Sequence, residues 1–164
     1  MEIIILSSYD QVSLEISDRI ISAVRKKPDL VLGLATGKTM LGIYQILVRA
    51  YKKGTVDFRK VKTFNLDEYI GFDSSDPVTF HSYMNNNFFS QVNIPPENIF
   101  ILPSMPTNID AACQKFEEEI KKAGGIDLQI LGIGREGHIG FNEPSSSLQA
   151  RTRVKTLTKT TIKD

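Results

Sequence analysis

The stretch LVLGLATGKTMLGIYQILV, residues 30–48, decides the fold of this chain. Residues 30–34 form a short apolar run of the kind that fills a buried strand. From Leu41 onward the apolar residues recur at helical spacing, and a loop around Gly37 joins the two patterns. Gly54 is predicted to end the helix. A strand, a glycine loop and a helix in this order predict the first part of a βαβ unit.

Strand and helix patterns alternate along the rest of the chain. An earlier helix pattern is formed by Val12, Ile16, Ile20 and Ala23 and is closed by Pro28, and a later one covers residues 110–122. The other predicted strands lie at residues 3–6, 61–66, 99–102, 128–133 and 153–157. This alternation predicts an α/β, Rossmann-like fold in one domain over residues 1–164, with a mostly parallel sheet and helices on both faces. Ligands of such sheets bind beyond the carboxyl ends of the strands.

The composition restricts the class of protein. The 164 residues carry a net charge of +1, which gives no electrostatic reason to expect nucleic acid or a membrane as a partner. Cys113 is the only cysteine, so an internal disulfide and a paired-cysteine metal site are both excluded. The first residues, MEIIILSSYD, lack the basic start and the long apolar run of a signal or membrane segment. The protein is therefore predicted to be cytoplasmic.

The loop around Gly37 resembles the phosphate-binding loop of nucleotide hydrolases, but it is one residue short. Three residues separate Gly33 from the Gly37-Lys38-Thr39 run, whereas that motif has four. Free backbone N–H groups, threonine hydroxyls and the positive end of the following helix favour an anion here, above all a phosphate. On this evidence alone, a simple tight turn at Gly37 explains the glycine equally well.

A nucleotide site would also need a metal-binding acid at the end of a neighbouring strand. Asp67 and Glu68 follow the predicted strand at residues 61–66 and offer such an acid. The short loop argues against this alternative, and so do three polar residues that interrupt the apolar run of the strand. Nucleotide binding is therefore the second-ranked interpretation.

The segment LGIGREGHIGFNEP, residues 131–144, holds a third group of candidate functional residues, after the loop around Gly37 and the pair Asp67 and Glu68. Three of its glycines let the backbone approach a ligand closely. They are Gly132, Gly134 and Gly137. His138 lies between Glu136 and Glu143, and flanking carboxylates hold a histidine in one tautomer and favour its charged form. This cluster suits proton transfer to and from a sugar oxygen, although each residue taken singly fits a solvated loop. His81 has no such neighbours and is predicted to be structural, at the start of a helix.

Five segments resemble those of glucosamine-6-phosphate deaminases, in the same order: LGLATGKT, FNLDEYIGF, SYMNNNFF, GIGREGHIGFNEP and ARTRVKTLT. The resemblance runs from the first predicted strand to the last residue, and the GHIGFNEP and DEY segments are its most specific parts. Related 6-phosphogluconolactonases share the fold but differ after the loop histidine. The resemblance implies that glucosamine 6-phosphate is isomerised and deaminated to fructose 6-phosphate and ammonia, without a metal or an organic cofactor.

The resemblance also implies roles for single residues. Asp67 would be the base that moves a proton between C2 and C1, and His138 would exchange the proton of the ring oxygen. Glu143 would orient His138, and Glu136 completes the predicted catalytic set. The predicted substrate-binding residues are Thr36, Gly37, Lys38, Thr39, Gly132 and Gly140. Glu136 and Lys38 depart from the family pattern, which has a shorter acid or amide and a small residue there. The family continues beyond residue 164 with elements that supply further basic phosphate ligands.

A second ligand site is predicted in SSSLQARTRVKTLT, residues 145–158. Residues two apart on an extended strand point to one face, so Arg153 and Lys155 would bind an anion together. A solvated basic strand is the alternative. The resemblance implies a homo-oligomer, a hexamer, in which N-acetylglucosamine 6-phosphate binds at a subunit interface through Ser146, Arg153 and Lys155.

Other functions stay open beside the deaminase. A sugar-phosphate-binding sensor without turnover would keep the loops but not the chemistry. The presence of Asp67, His138 and Glu143 together argues for an enzyme. No DNA-binding helix pair is evident in the sequence. A hydrolase similar to 6-phosphogluconolactonase is the third interpretation.

Overall fold

The computed structural model describes residues 2–134, 137–143, 146–147 and 149–158. Within them, four parallel strands form one sheet: β1 Val31–Leu34, β2 Lys62–Asn65, β3 Ile99–Phe100 and β4 Leu128–Gln129. Their order across the sheet is β3-β2-β1-β4. The strand of the glycine loop, β1, therefore pairs with β2 on one side and with β4 on the other. The predicted parallel α/β sheet is confirmed.

The helices begin and end where their sequences favour it. They are α1 Tyr9–Lys26, α2 Leu41–Lys52, α3 Phe80–Asn87 and α4 Ile109–Lys122. Side-chain oxygens of Ser8, Thr79 and Asn108 accept a backbone N–H from the first turns of α1, α3 and α4. After α2, Gly54 takes a φ of 70°, as a glycine that ends a helix commonly does. In the described part of the chain, no helix has both the length and the apolar character needed to cross a membrane.

The helices α1, α2 and α3 cover one face of the sheet. Leu32 and Leu34 of β1 are fully buried in the same apolar core as these helices. Tyr44 of α2 stacks on Phe88 at the end of α3, with ring centroids 5.2 Å apart, and Phe58 meets the same ring edge-on at 5.6 Å. Aromatic contacts of this kind fix the start of α2, and with it the loop that precedes it.

The helix α4 covers the opposite face. Phe64 of β2 stacks on Phe100 of β3 with ring centroids 4.5 Å apart, and Phe116 of α4 meets Phe64 edge-on at 5.7 Å. Side chains alternate along a strand, so Phe64 lies on the other face from its neighbours Thr63 and Asn65. The prediction that helices lie on both faces is confirmed.

Small residues form the contact between α1 and α2. Ser13 and Ser17 are buried on α1, and a Cβ added to Gly42 of α2 would lie only 2.6 Å from the Oγ of Ser13. Because the helices meet along this serine stripe, Val12 is turned outward and is 40% exposed. The apolar spacing that includes Val12 predicted a helix, which the structure confirms, although Val12 itself lies outside the buried contact.

Two predicted strands do not form within the described residues. Residues 3–6 are irregular, and Ile3 and Ile5 are 73% and 91% exposed. Residues 153–157 are also irregular. An apolar or β-branched run forms a strand only where a neighbouring strand completes its backbone hydrogen bonds, and no described strand pairs with either segment. For the same reason the runs at residues 99–102 and 128–133 contribute only the two-residue strands β3 and β4.

Candidate active site

Three loops meet at the carboxyl end of the sheet, because they follow three adjacent strands. Residues 35–40 follow β1, residues 66–72 follow β2, and residues 130–134 and 137–143 follow β4. A Cβ added to Gly132 would lie 3.6 Å from the Cε of Met40 in the first loop. One added to Gly140 would lie 3.8 Å from the Oδ2 of Asp67 in the second. The third loop therefore touches both of the others.

The loop at residues 35–40 has the geometry of an anion site. Gly37 takes a φ of 106°, which favours glycine, and its carbonyl accepts the N–H of Met40 at 3.1 Å. The N–H groups of residues 36–39 donate to no other residue that the structure describes. Gly37, Lys38 and Thr39 are exposed and Thr36 is half-buried, directly before α2. Free N–H groups at the start of a helix attract a phosphate.

The carboxyl group of Asp67 holds its proton more strongly than an ordinary aspartate does. Burial raises its pKa to about 7, and the nearby charge of Glu68 adds to the effect. No residue within the described ranges donates a hydrogen bond to the Asp67 carboxylate that would lower the pKa again. Gly140 borders the group without filling the space beside it. An aspartate with these properties is suited to take a proton near neutral pH.

Glu68, although it is next to Asp67, has a structural role. Its carboxylate accepts the N–H groups of Phe80 at 2.9 Å and of His81 at 2.8 Å, and so caps the first turn of α3. It also accepts the N–H of Tyr69 at 2.8 Å. This use of Glu68 removes the second acid that nucleotide binding would call on. The prediction that His81 lies at a helix start is confirmed, since it is the second residue of α3.

The imidazole of His138 packs directly on the backbone of Gly134. A Cβ added to Gly134 would lie 2.2 Å from the Nε2 of His138, a distance that no side chain tolerates. The loop is tight here, because the N–H of Gly134 donates to the carbonyl of His138 and that of Gly137 donates to the carbonyl of Gly134, both at 2.9 Å. The sequence predicted that Gly134 lets a ligand approach the backbone closely. In the structure, the ring of His138 occupies that space instead.

His138 and Glu143 lie side by side, as predicted. The Nδ1 of His138 is 3.8 Å from the Oε2 of Glu143, close enough for charge attraction although longer than a direct hydrogen bond. Glu143 is only 3% exposed, and its Oε1 accepts the N–H of Thr158 at 3.1 Å. The remaining predicted acid, Glu136, lies outside the described residues. Thr158 was missed by the sequence analysis, because a backbone donor 15 residues away leaves no signal in composition or spacing.

Arg153 and Lys155 line a cleft of about 470 Å³ together with Asp67, Phe141 and Arg151. Arg153 donates to the side-chain oxygen of Asn142 at 3.1 Å, and Arg151 pairs with Glu117 of α4 at 3.0 Å. The two cations predicted for a second site thus border the cleft that holds Asp67, whereas Ser146 does not line it. No group of three His, Cys, Asp or Glu side chains within the described ranges is arranged to hold a metal ion.

The sequence is similar to that of named deaminases. The model of the family described as glucosamine-6-phosphate isomerases/6-phosphogluconolactonase matches residues 7–158. A glucosamine-6-phosphate deaminase of Thermoanaerobacter sp. (strain X514) is 49% identical over 162 residues, which are 99% of this chain and 64% of that protein. One of Shewanella halifaxensis (strain HAW-EB4) is 50% identical over 164 residues, which are 100% of this chain and 62% of that protein. The chain spans less than two thirds of the length of these relatives.

Solved structures give the same picture. The structure of a monomeric glucosamine-6-phosphate deaminase matches with a TM-score of 0.97 at 39% identity, over 99% of this chain and 68% of that one. A 6-phosphogluconolactonase from Thermotoga maritima matches with a TM-score of 0.70 at 23% identity, over 86% of this chain and 66% of that one, and so shares the fold. With nearly its whole length matched by the family model, the chain belongs to the family of glucosamine-6-phosphate isomerases and 6-phosphogluconolactonases.

Proposed function

We propose that this chain carries the active-site side chains of a glucosamine-6-phosphate deaminase, which converts glucosamine 6-phosphate and water to fructose 6-phosphate and ammonia. The observation that carries the proposal is the convergence of three features at one end of the sheet. They are an anion-binding loop, a carboxyl group of raised pKa, and a histidine beside a buried glutamate. Relatives similar in sequence and in structure bear this enzyme's name.

In this proposal the loop at residues 35–40 holds the phosphate group of the substrate. The free N–H groups of residues 36–39 donate to its oxygens, and the hydroxyls of Thr36 and Thr39 add two donors. Lys38 is exposed on the same loop and contributes a positive charge. Gly132 and Gly140 line the path from this loop to Asp67, where any side chain would take space from the sugar.

Asp67 moves the proton that isomerises the sugar. With a pKa of about 7 it is partly ionised at neutral pH and is a stronger base than an ordinary aspartate. It takes the proton from C2 of the open-chain sugar and returns it to C1. Water then adds at C2 and the amino group leaves as ammonia, which balances the reaction.

His138 opens the sugar ring by giving a proton to the ring oxygen as the bond from C1 to that oxygen breaks, while the C1 hydroxyl loses its proton to water and becomes the aldehyde. Its imidazole is 15% exposed, and the carboxylate of the buried Glu143 lies 3.8 Å from its Nδ1. In this proposal Glu143 orients the imidazole, so that the two side chains act as one catalytic set. A contribution of Glu136 to this set stays a prediction.

The test is an assay of the purified protein with glucosamine 6-phosphate, measuring ammonia and fructose 6-phosphate together. We expect the two products in equal amounts, and no hydrolysis of 6-phosphogluconolactone in a parallel assay. Binding of glucosamine 6-phosphate without product would favour the sensor. Hydrolysis of the lactone alone would favour the hydrolase. Either result overturns the deaminase.

We also propose the second site predicted from the sequence, in a homo-oligomer of six chains. N-acetylglucosamine 6-phosphate would bind there through Ser146, Arg153 and Lys155 and would activate the enzyme. Arg153 and Lys155 support the proposal, since both border one cleft and Arg153 is held there by Asn142; the same cleft holds Asp67, and Ser146 does not line it. The solved deaminase with a TM-score of 0.97 is described as monomeric, so the test must include the assembly state. A cytoplasmic location likewise stays a prediction.

Arg153→Ala is expected to abolish activation by N-acetylglucosamine 6-phosphate, because one phosphate-binding cation is lost. Substrate-saturation curves with and without the activator measure the effect, and Arg59→Ala is the matched control, an exposed arginine bound to Asp57. Light scattering reports the assembly. A monomer with a hyperbolic curve that the activator does not change would contradict both the site and the hexamer.

A further inference from the structure

Three of the five tyrosines of the chain converge on the loop at residues 35–40, each from a different helix. The hydroxyl of Tyr44 of α2 donates to the carbonyl of Ala35. Tyr83 of α3 donates to the carbonyl of Gly37 at 2.7 Å, and Tyr9 of α1 donates to the carbonyl of Lys38 at 3.4 Å. The Tyr9 hydroxyl also accepts the N–H of Gly42 in the first turn of α2, at 2.8 Å.

These hydrogen bonds fix the direction of three peptide units, together with the N–H groups of Met40 and Leu41, which also donate to the carbonyls of Gly37 and Lys38. In a planar trans peptide the C=O of one residue and the N–H of the next point in opposite directions. A carbonyl of Ala35, Gly37 or Lys38 that faces a tyrosine therefore turns the N–H of Thr36, Lys38 or Thr39 the other way. Those are three of the N–H groups that donate to none of the described residues. The loop is thus held with carbonyls on its helix side and free donors on its open side.

Tyr9 and Tyr83 are the two members of the set near the surface. Tyr44 is fully buried and stacks on Phe88, so its removal would disturb the core. Tyr83 is half-buried; burial and the neighbouring Tyr9 raise the pKa of Tyr83 to about 12, so that it stays a hydroxyl donor at any physiological pH. Its ring meets Tyr44 edge-on at 6.4 Å, which fixes its position.

We infer that Tyr9 and Tyr83 are positioning residues for phosphate recognition, which preorganise the backbone donors of the loop at residues 35–40 toward the phosphate group of the substrate. The inference rests on the proposed function, because it assigns the free donors to a sugar phosphate. It adds two residues outside the loop, on α1 and α3, to the determinants of affinity. Preorganised donors bind more tightly because they lose less freedom on binding.

The experiment compares Tyr83→Phe and Tyr9→Phe with the wild type, each of which loses only a hydroxyl. We expect each variant to raise the KM for glucosamine 6-phosphate and the inhibition constant of inorganic phosphate by roughly 3- to 10-fold, the scale of one hydrogen bond. We expect kcat to change less than twofold, since the proton-transfer groups are untouched. Tyr51→Phe, on α2 away from the loop, is the matched control and should leave all three values unchanged.

The outcomes test the positioning role of the tyrosines separately from the deaminase activity. Unchanged phosphate affinity in both variants, with thermal melting curves like that of Tyr51→Phe, overturns the positioning role. So does a loss of kcat at constant KM. If one variant does not fold, the other gives the answer. Phosphate affinity that depends on the tyrosines, in a protein that releases no ammonia, supports the positioning role and overturns the deaminase. A wild type without affinity for phosphate or for glucosamine 6-phosphate overturns both.

Discussion

Turnover of glucosamine 6-phosphate is expected to fall at least ~100-fold when Asp67 is replaced by asparagine, because the amide keeps the shape of the side chain but takes no proton from carbon. The KM should stay within about threefold, since the phosphate loop is not altered. Asp18→Asn, an exposed aspartate of α1, is the matched control and should behave like the wild type. Normal turnover of the Asp67 variant would show that another group is the base.

The pH dependence of kcat/KM is a second test of Asp67. A base acts only in its ionised form, so kcat/KM of the wild type should rise as the pH rises through about 7, the pKa that burial gives Asp67. In the Asp67→Asn variant, the residual activity should lack this rise. A wild-type profile that is flat between pH 6 and pH 8 would contradict the raised pKa.

The stability of the folded chain should fall as the pH rises, whereas its activity should rise. The pKa of Asp67 is 3.8 ordinarily and about 7 in the folded chain, so the folded state binds more protons than the unfolded state between these values. The wild type therefore loses stability as the pH rises through this window, and the loss is complete above pH 7. Asp67→Asn removes that loss. Its Tm should exceed that of the wild type by more at pH 8 than at pH 4, with a gain of roughly 1 to 4 kcal/mol at pH 8.

Replacing Gly134 by alanine is expected to lower turnover by roughly 30- to 100-fold, without any loss of a catalytic side chain. The new Cβ would overlap the Nε2 of His138, which it would approach to 2.2 Å, so the imidazole must move. A displacement of about 1 Å at a reacting group is enough for an effect of this size. Turnover and the KM are measured as before, and circular dichroism checks that the variant is folded.

A double-mutant cycle separates a displaced histidine from a general disturbance of the loop. If Gly134→Ala acts through His138, the double variant with His138→Ala should be no slower than His138→Ala alone. Losses that multiply would show that Gly134 matters for another reason. Unchanged turnover in Gly134→Ala would show that the ring finds its working position elsewhere.

Much of the fold could be predicted because its signals are local. The strand, glycine loop and helix at residues 30–48 each follow from neighbouring residues, and the structure confirms all three. The run at residues 3–6 carries an equally clear β-branched pattern, yet it forms no strand among the described residues, because pairing depends on a distant partner. The buried side of α1 likewise depends on a distant residue, since Gly42 on another helix packs against Ser13.

The site shows the same division between local and distant causes. Asp67, His138 and the loop around Gly37 could be found from residue type and from their place after strands. The roles of Glu68 and Gly134 could not. Glu68 differs from Asp67 only in that its carboxylate reaches two N–H groups of α3. Gly134 differs from other loop glycines only in that a ring lies on it, and periodicity carries no information about such contacts.

From the central place of β1 we expect the two halves of the site to assemble at different times. The next strand along the chain, β2, pairs with β1 on one side, so the anion loop and Asp67 can come together early. On the other side, Asp127, directly before β4, accepts a hydrogen bond from the N–H of Val31, 96 residues away in sequence. Contacts of long sequence separation close slowly. The anion-binding loop and Asp67 can therefore come together before the part of the site that carries His138.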